Sequence, residues 1–137
     1  MKTLILYRSF LGSSKKYAEW LHEDVPSDIL KFSKSGGKVL ASYDTVVLIG
    51  GTYAGWLSLA GYLKSKWKKL QEKRVVFVTV GGAALEDAVS VKAYSKIPEN
   101  IRAAVKHFHL RGKFGKTNLD EVKKEKVQPI VEYLKGV

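Results

Sequence analysis

Four small residues, Ser9, Gly12, Ser13 and Ser14, lie between the apolar run Leu4-Ile5-Leu6-Tyr7 and a stretch with helical spacing. Hydroxyls and a glycine at the start of a helix are residue types that can hold a phosphate. The helix N-terminus presents unsatisfied N–H groups and partial positive charge, and glycine lets the backbone come close. The same residues cap helices and make turns in any fold, and Ser13 or Ser14 is the expected cap here. Taken alone, the stretch leaves both readings open. It is not a nucleotide-triphosphate loop, because GxxxxGK[ST] is absent and Gly112 stands too close to Gly115-Lys116-Thr117. GxGxxG does not occur either.

Two further segments carry the residue types of a ligand edge. Gly50–Trp56 (GGTYAGW) follows an apolar run and puts Tyr53 and Trp56, on which a planar ligand can stack, into a glycine-rich turn. Gly81-Gly82-Ala83-Ala84 brings only backbone groups and room for close approach. The histidines offer less. His107 and His109 share one face of an expected strand, but no cysteine or well-spaced carboxylate completes a metal site, so edge-strand surface is the expectation and no metal is. His22 lies on a helix without an evident partner. No GxSxG elbow sets up a serine nucleophile, and no catalytic residue is assigned.

The elements that must position these segments alternate. Lys2–Tyr7, Asp28–Phe32, Thr45–Ile49, Val75–Val80 and Val105–Leu110 read as strands, the last as a half-buried edge. Ser13–Asp24, Leu57–Leu70 and Leu85–Ile97 read as helices, Pro98–Ala104 as a helical turn, and Leu119–Leu134 as a helix that Pro129 kinks or restarts. Strands separated by helices give βαβ units, hence a three-layer α/β fold around a five-stranded parallel sheet. The crossover from Phe32 to Thr45 barely has the length such a connection needs. In such a sheet ligands bind beyond the carboxyl ends of the strands, where Arg8–Ser14, Gly50–Trp56 and Gly81–Glu86 all fall.

With 137 residues, 45% of them apolar, and no linker or repeat, the chain reads as a single domain, 1–137. No apolar run reaches the length of a membrane span and no signal peptide is evident, so a cytoplasmic protein is expected. The absence of cysteine excludes disulfides and thiolate chemistry, so any redox work needs an organic cofactor. The net charge of +11, from 24 basic and 13 acidic residues, suits an anionic partner or simply a soluble basic surface.

The three segments together resemble the flavodoxin family. Ser9-Phe10-Leu11-Gly12-Ser13-Ser14 is similar to the family's phosphate loop [ST]-x-T-G-x-[ST], with Ser9, Gly12 and Ser14 in place and Leu11 where a hydroxyl residue is usual. Tyr43–Gly55 is similar to the family's third strand and flavin-side loop. Gly51–Trp56 and His109–Phe114 resemble a subgroup of small flavodoxin-domain proteins that includes the menaquinone-linked protoporphyrinogen dehydrogenases.

The resemblance implies a flavodoxin-like fold with strand order 2-1-3-4-5 and non-covalent FMN. Its phosphate would lie on Ser9, Phe10, Leu11, Gly12, Ser13 and Ser14, and its ring between Thr52, Tyr53, Ala54, Gly55 and Trp56 on one side and Gly81, Gly82 and Ala83 on the other. Arg8, Lys15 and Lys16 supply charge near the loop with Leu11. The third loop lacks the tyrosine that many flavodoxins have, and the charge is opposite to their acidic surfaces. The implied function is electron transfer or a small FMN-dependent oxidoreductase.

A protoporphyrinogen-dehydrogenase-like enzyme is the alternative, although Gly81–Lys106 leaves little room for the insertion such enzymes carry. A flavin-free basic binding module is another. The expected partners are an acidic redox protein or an anionic small molecule, with peripheral contact to an anionic membrane. Nucleic acid is not expected, since no recognised motif for it occurs.

Overall fold

Three apolar segments rich in β-branched residues form the centre of the sheet: β1 (Thr3–Arg8), β3 (Thr45–Tyr53) and β5 (Arg74–Gly81). The structure, a computed structural model, describes residues 2–8, 12–33, 37–53, 56–81, 92, 94–111 and 122–136. The central strands read as nearly continuous apolar runs because both faces of the sheet are covered. Ile5, Val47, Ile49, Val76 and Val78 belong to the core on one face, and Leu4, Leu6, Val46, Leu48, Val75 and Phe77 to the core on the other. The strand period of two assigns neighbouring residues to opposite layers.

The edge strands are β2 (Asp28–Lys31), which is mostly exposed, and β6 (Lys106–Arg111), in which polar residues alternate with Phe108 and Leu110. The order across the sheet is β2-β1-β3-β5-β6, all parallel, while β4 (Trp56–Leu57) pairs antiparallel with the end of β3. Counting only the five long strands, this is the expected order 2-1-3-4-5.

One face is covered by α1 (Ser13–Asp24) and α5 (Gln128–Lys135). Tyr17, Ala18 and Leu21 of α1 and Ile130, Val131 and Leu134 of α5 recur at helical spacing and bury their side chains there. The other face carries a 3-10 helix (Gly37–Ser42), α2 (Ala60–Ser65), α3 (Trp67–Leu70) and α4 (Glu99–Ala104). The compact 3-10 helix is how the short crossover into β3 is made.

Several expectations are corrected. The expected helix Leu57–Leu70 begins only at Ala60, because Leu57 pairs with Thr52 in the β3–β4 arm, and it breaks at Lys66 (φ −102°, ψ 11°). The expected helix Leu119–Leu134 is, in its described part, a 3-10 turn (Lys124–Val127) followed by α5. Pro129 stands in the first turn of α5, where its missing N–H costs nothing, so it restarts the helix rather than kinking it. Most of the expected helix Leu85–Ile97 lies outside the described residues. Pro98–Ala104 is helical over α4, and Val105–Leu110 is the edge strand β6, as expected.

Candidate functional site

The register brings the carboxyl ends of the parallel strands to one edge. Arg8 lies beside Gly50, Gly51 beside Val80, and Gly81 beside Arg111. The N-terminus of α1 opens at the same edge, since α1 follows β1. Its cap is Gly12, in the left-handed region (φ +91°), a residue with no side chain of its own to cap the helix. Ser13 and Ser14, expected as caps, are instead the first helical residues and are buried. Glycine takes the cap position because the backbone conformation there disfavours a side chain. Among the described residues, nothing lies within 4 Å of where a Cβ on Gly12 would stand.

This geometry fits a phosphate: a helix N-terminus led by Gly12, whose lack of a side chain lets a ligand approach the backbone. Ser9, Phe10 and Leu11 lie outside the described residues. Lys16, expected to add charge to the loop, stands over the Trp20 ring at 5.1 Å.

The segment Gly50–Trp56, expected as a loop, is mostly a β arm. β3 runs on to Tyr53, the chain reverses, and Trp56–Leu57 pairs back on it. Thr52, Tyr53 and Trp56 are placed by backbone only; their side chains, and Ala54 and Gly55 altogether, lie outside the described residues. Gly81 is the last residue of β5, and Gly82 and Ala83 lie outside the described residues.

The base of the arm is docked closely. Ser58 N–H donates to the Gly51 carbonyl at 3.1 Å, and Arg8 Nη1 makes a long hydrogen bond of 3.5 Å to the Ser58 carbonyl. Arg8 also stands over the Phe32 ring at 5.4 Å. Ser58 is 6% exposed, its Oγ has no hydrogen-bond partner, and it sits where a Cβ on Gly50 would fall, 2.3 Å away. Gly50 is therefore a packing glycine: it lets Ser58 and Leu59 close onto β3.

Two features of this edge are absent from any motif. The hydroxyl of Tyr17, a fully buried residue, donates to the Arg111 carbonyl at 2.6 Å, tying the first turns of α1 to the end of β6. On the opposite face of the sheet, the buried Thr79 Oγ1 lies 2.9 Å from His107 Nε2 and 2.8 Å from His109 Nδ1. The H-x-H spacing shows that the two rings share a face; only the β5–β6 register brings Thr79 between them.

His107 and His109 thus lie on the edge strand, as expected, but half-buried and bonded to Thr79. His107 stacks on Tyr94 with ring centres 4.1 Å apart, and burial together with His109 pushes its pKa down to about 4. His22 Nδ1 is 3.0 Å from Ser27 Oγ, so it too has a partner. No metal cluster forms among the described residues.

At the opposite, amino edge a cleft of about 170 Å³ is lined by Lys2, Thr3, Pro26, Ser27 and Asp28, none of them a predicted site residue. No helix among the described residues is long and apolar enough to cross a membrane.

A family model described as "Flavodoxin domain" matches residues 4–137. No curated protein matches the chain significantly. Among solved structures, the chain is similar to oxidised Flavodoxin 2 from Bacillus cereus, with 16% identity, a TM-score of 0.64, and 98% of this chain and 99% of that one covered. The Streptococcus pneumoniae TIGR4 flavodoxin gives 13% identity and a TM-score of 0.64, with 99% of each chain covered. A flavoprotein in complex with FMN from Lactobacillus acidophilus NCFM gives 15% identity and a TM-score of 0.56, over 80% of this chain and 91% of that one.

Proposed function

Since the chain belongs to the flavodoxin domain family, we propose that it binds FMN non-covalently at the carboxyl edge of its sheet and works as a redox protein, an electron carrier or small oxidoreductase. One observation carries the reading: the glycine-led N-terminus of α1 opens at the same edge as the β3–β4 arm and the end of β5. An FMN phosphate at α1 would be held by Gly12, Ser13 and Ser14 with Ser9–Leu11, and the ring would lie between Thr52–Trp56 and Gly81–Ala83. Bound FMN supplies the electron-transfer chemistry; the chain supplies position and electrostatics. The Lactobacillus acidophilus relative, crystallised with FMN, supports the choice of flavin.

The surface points to the class of partner. From Thr45 to Gly81 the chain carries Lys64, Lys66, Lys68, Lys69, Lys73 and Arg74 against one acid, Glu72. With a net charge of +11, the protein suits an acidic redox protein or an anionic small molecule, and the positive field favours added electrons on a bound flavin.

Titration of the purified protein with FMN tests the reading. Quenching of flavin fluorescence to a 1:1 endpoint, weaker with riboflavin, is expected. Folded protein that leaves micromolar FMN unquenched would overturn it. With FMN bound, turnover of a porphyrinogen with a quinone above the rate of free FMN would select the dehydrogenase over the carrier.

A further inference from the structure

The basic residues are unevenly divided between the two helical layers. Over 13–24 and 122–136, the layer of α1 and α5, six basic residues stand against five acids. Charges meet there: Lys124 Nζ lies 3.0 Å from Glu23 Oε2 and 3.9 Å from Asp24 Oδ1. Over 60–73, the stretch of α2 and α3 in the opposite layer, five lysines stand against one acid, Glu72. Lys64, Lys68 and Lys69 are exposed and Lys66 is half-buried. Among the described residues, none of these four ammonium groups has an ion pair, a hydrogen bond or a ring contact. Lys64 and Lys68 are four apart and Lys66 and Lys69 three apart. Like charges at that spacing neighbour one another on consecutive helical turns and repel. The cluster works against α2 and α3, and no ion pair among the described residues offsets it.

The patch extends away from the ligand edge. α2 follows the β3–β4 arm, and α3 leads on to Arg74, where β5 begins. The lysine run closes on Lys73, whose Nζ donates to the Tyr43 carbonyl just before β3 begins. It therefore crosses the layer from its middle to the amino edge. A partner seated there leaves the carboxyl edge open.

The kind of partner follows from the chemistry of the patch. A net positive field attracts any anion at a distance, whereas contact depends on which side chains meet it. Protein docking sites draw on Trp, Tyr and Arg and are poor in lysine. Nucleic-acid sites read bases with forked arginines or stack them on free aromatic rings. Here the four free charges are all lysine, point charges on flexible stems. The aromatics beside them are engaged: Tyr62 meets Phe32 edge-on at 5.4 Å, and Tyr62 and Trp67 pack against the core. Lysines without fixed partners suit anions that move to meet them, as the headgroups of a fluid bilayer do. Among the described residues the exposed large apolar side chain is Leu30, which is on β2, so the face offers charge without an apolar anchor.

We propose that the α2–α3 face docks on an anionic lipid surface through Lys64, Lys66, Lys68 and Lys69. The contact is electrostatic and reversible, and it needs no bound flavin.

The experiment is flotation of the FMN-free protein with vesicles of phosphatidylglycerol and phosphatidylcholine in equal amounts, beside vesicles of phosphatidylcholine alone. Wild type floats with the anionic vesicles at about 0.1 M salt and leaves them at about 1 M, as the screening length falls from about 10 Å to about 3 Å. A lysine near such a surface changes partitioning about fivefold, so Lys64→Gln, Lys66→Gln, Lys68→Gln and Lys69→Gln together weaken binding on the order of several hundredfold. A second variant, with Lys123→Gln, Lys124→Gln, Lys126→Gln and Lys135→Gln, removes the same charge from the α1–α5 layer and keeps most of the binding. Thermal unfolding followed by circular dichroism checks that both variants are folded.

Wild type that stays off the anionic vesicles at low salt, or floats equally well with phosphatidylcholine alone, would overturn the proposal. Equal losses in the two variants would do the same, by making net charge rather than this face the cause. So would tighter binding of a DNA oligonucleotide or a poly-glutamate peptide than of the vesicles, at equal anionic charge, lost in the α2–α3 variant. That result would assign the face to nucleic acid or to an acidic protein.

Discussion

Gly50 and Ser58 form a contact whose strength can be read by a double-mutant cycle. A methyl group on Gly50 would stand 2.3 Å from Ser58 Oγ and 3.1 Å from Leu59 Cγ. Leu59 is 1% exposed and held in the core, so the serine hydroxyl must yield first. Overpacking of this kind costs about 1–3 kcal/mol for Gly50→Ala. The same hydroxyl is buried without a partner, a desolvation cost of about 1–3 kcal/mol, so Ser58→Ala stabilises the fold by up to that amount. In the Ser58→Ala background the 2.3 Å contact is gone and only the Leu59 contact remains. Gly50→Ala should then cost about 1 kcal/mol less than in the wild type, within the usual range for residues in contact. Urea unfolding of the four proteins, compared at constant m, measures each term. An equal cost of Gly50→Ala in both backgrounds, or a loss of stability in Ser58→Ala, would refute this account of the arm's docking.

At Gly12 the cost is one of backbone conformation, because φ is +91° and, among the described residues, no atom meets an added Cβ. Gly12→Ala should lower stability by about 1–2 kcal/mol and the melting temperature by about 3–8 °C, with Gly12→Asn closer to wild type, as thermal unfolding of the FMN-free protein will show. His107 makes stability depend on pH. Its folded pKa, about 4, lies below the unfolded value near 6.5, so the unfolded chain binds the proton first as pH falls. Stability is full above pH 6.5 and declines as pH falls from there to about 4. The decline amounts to about 2–3 kcal/mol after allowance for the ring's partial exposure. Urea midpoints across that range should show the decline in wild type and lose it in His107→Gln.

Much of the fold is legible in local pattern. Apolar, β-branched runs such as Thr45–Ile49 and Val75–Val80 can be satisfied only as strands buried on both faces, and their alternation with amphipathic segments imposes parallel crossovers. The resemblance to a phosphate loop is local for the same reason, because Gly12 and its neighbouring serines are contiguous. What is not legible depends on pairing between distant segments. Leu57 has the same helix-compatible surroundings as Leu63, yet it joins a strand because Thr52 lies across from it. Ser13 and Ser14 have the composition of caps but enter the helix, because Gly12 alone takes the left-handed turn. The sequence by itself determined the alternation of strands and helices, and with it the edge of the sheet at which the candidate segments fall. Only the tertiary structure decided that Ser58 rests on Gly50, that Tyr17 holds Arg111, and that Thr79 stands between His107 and His109. Strand register and layer packing make those contacts, and neither is written in any stretch short enough to read as a motif.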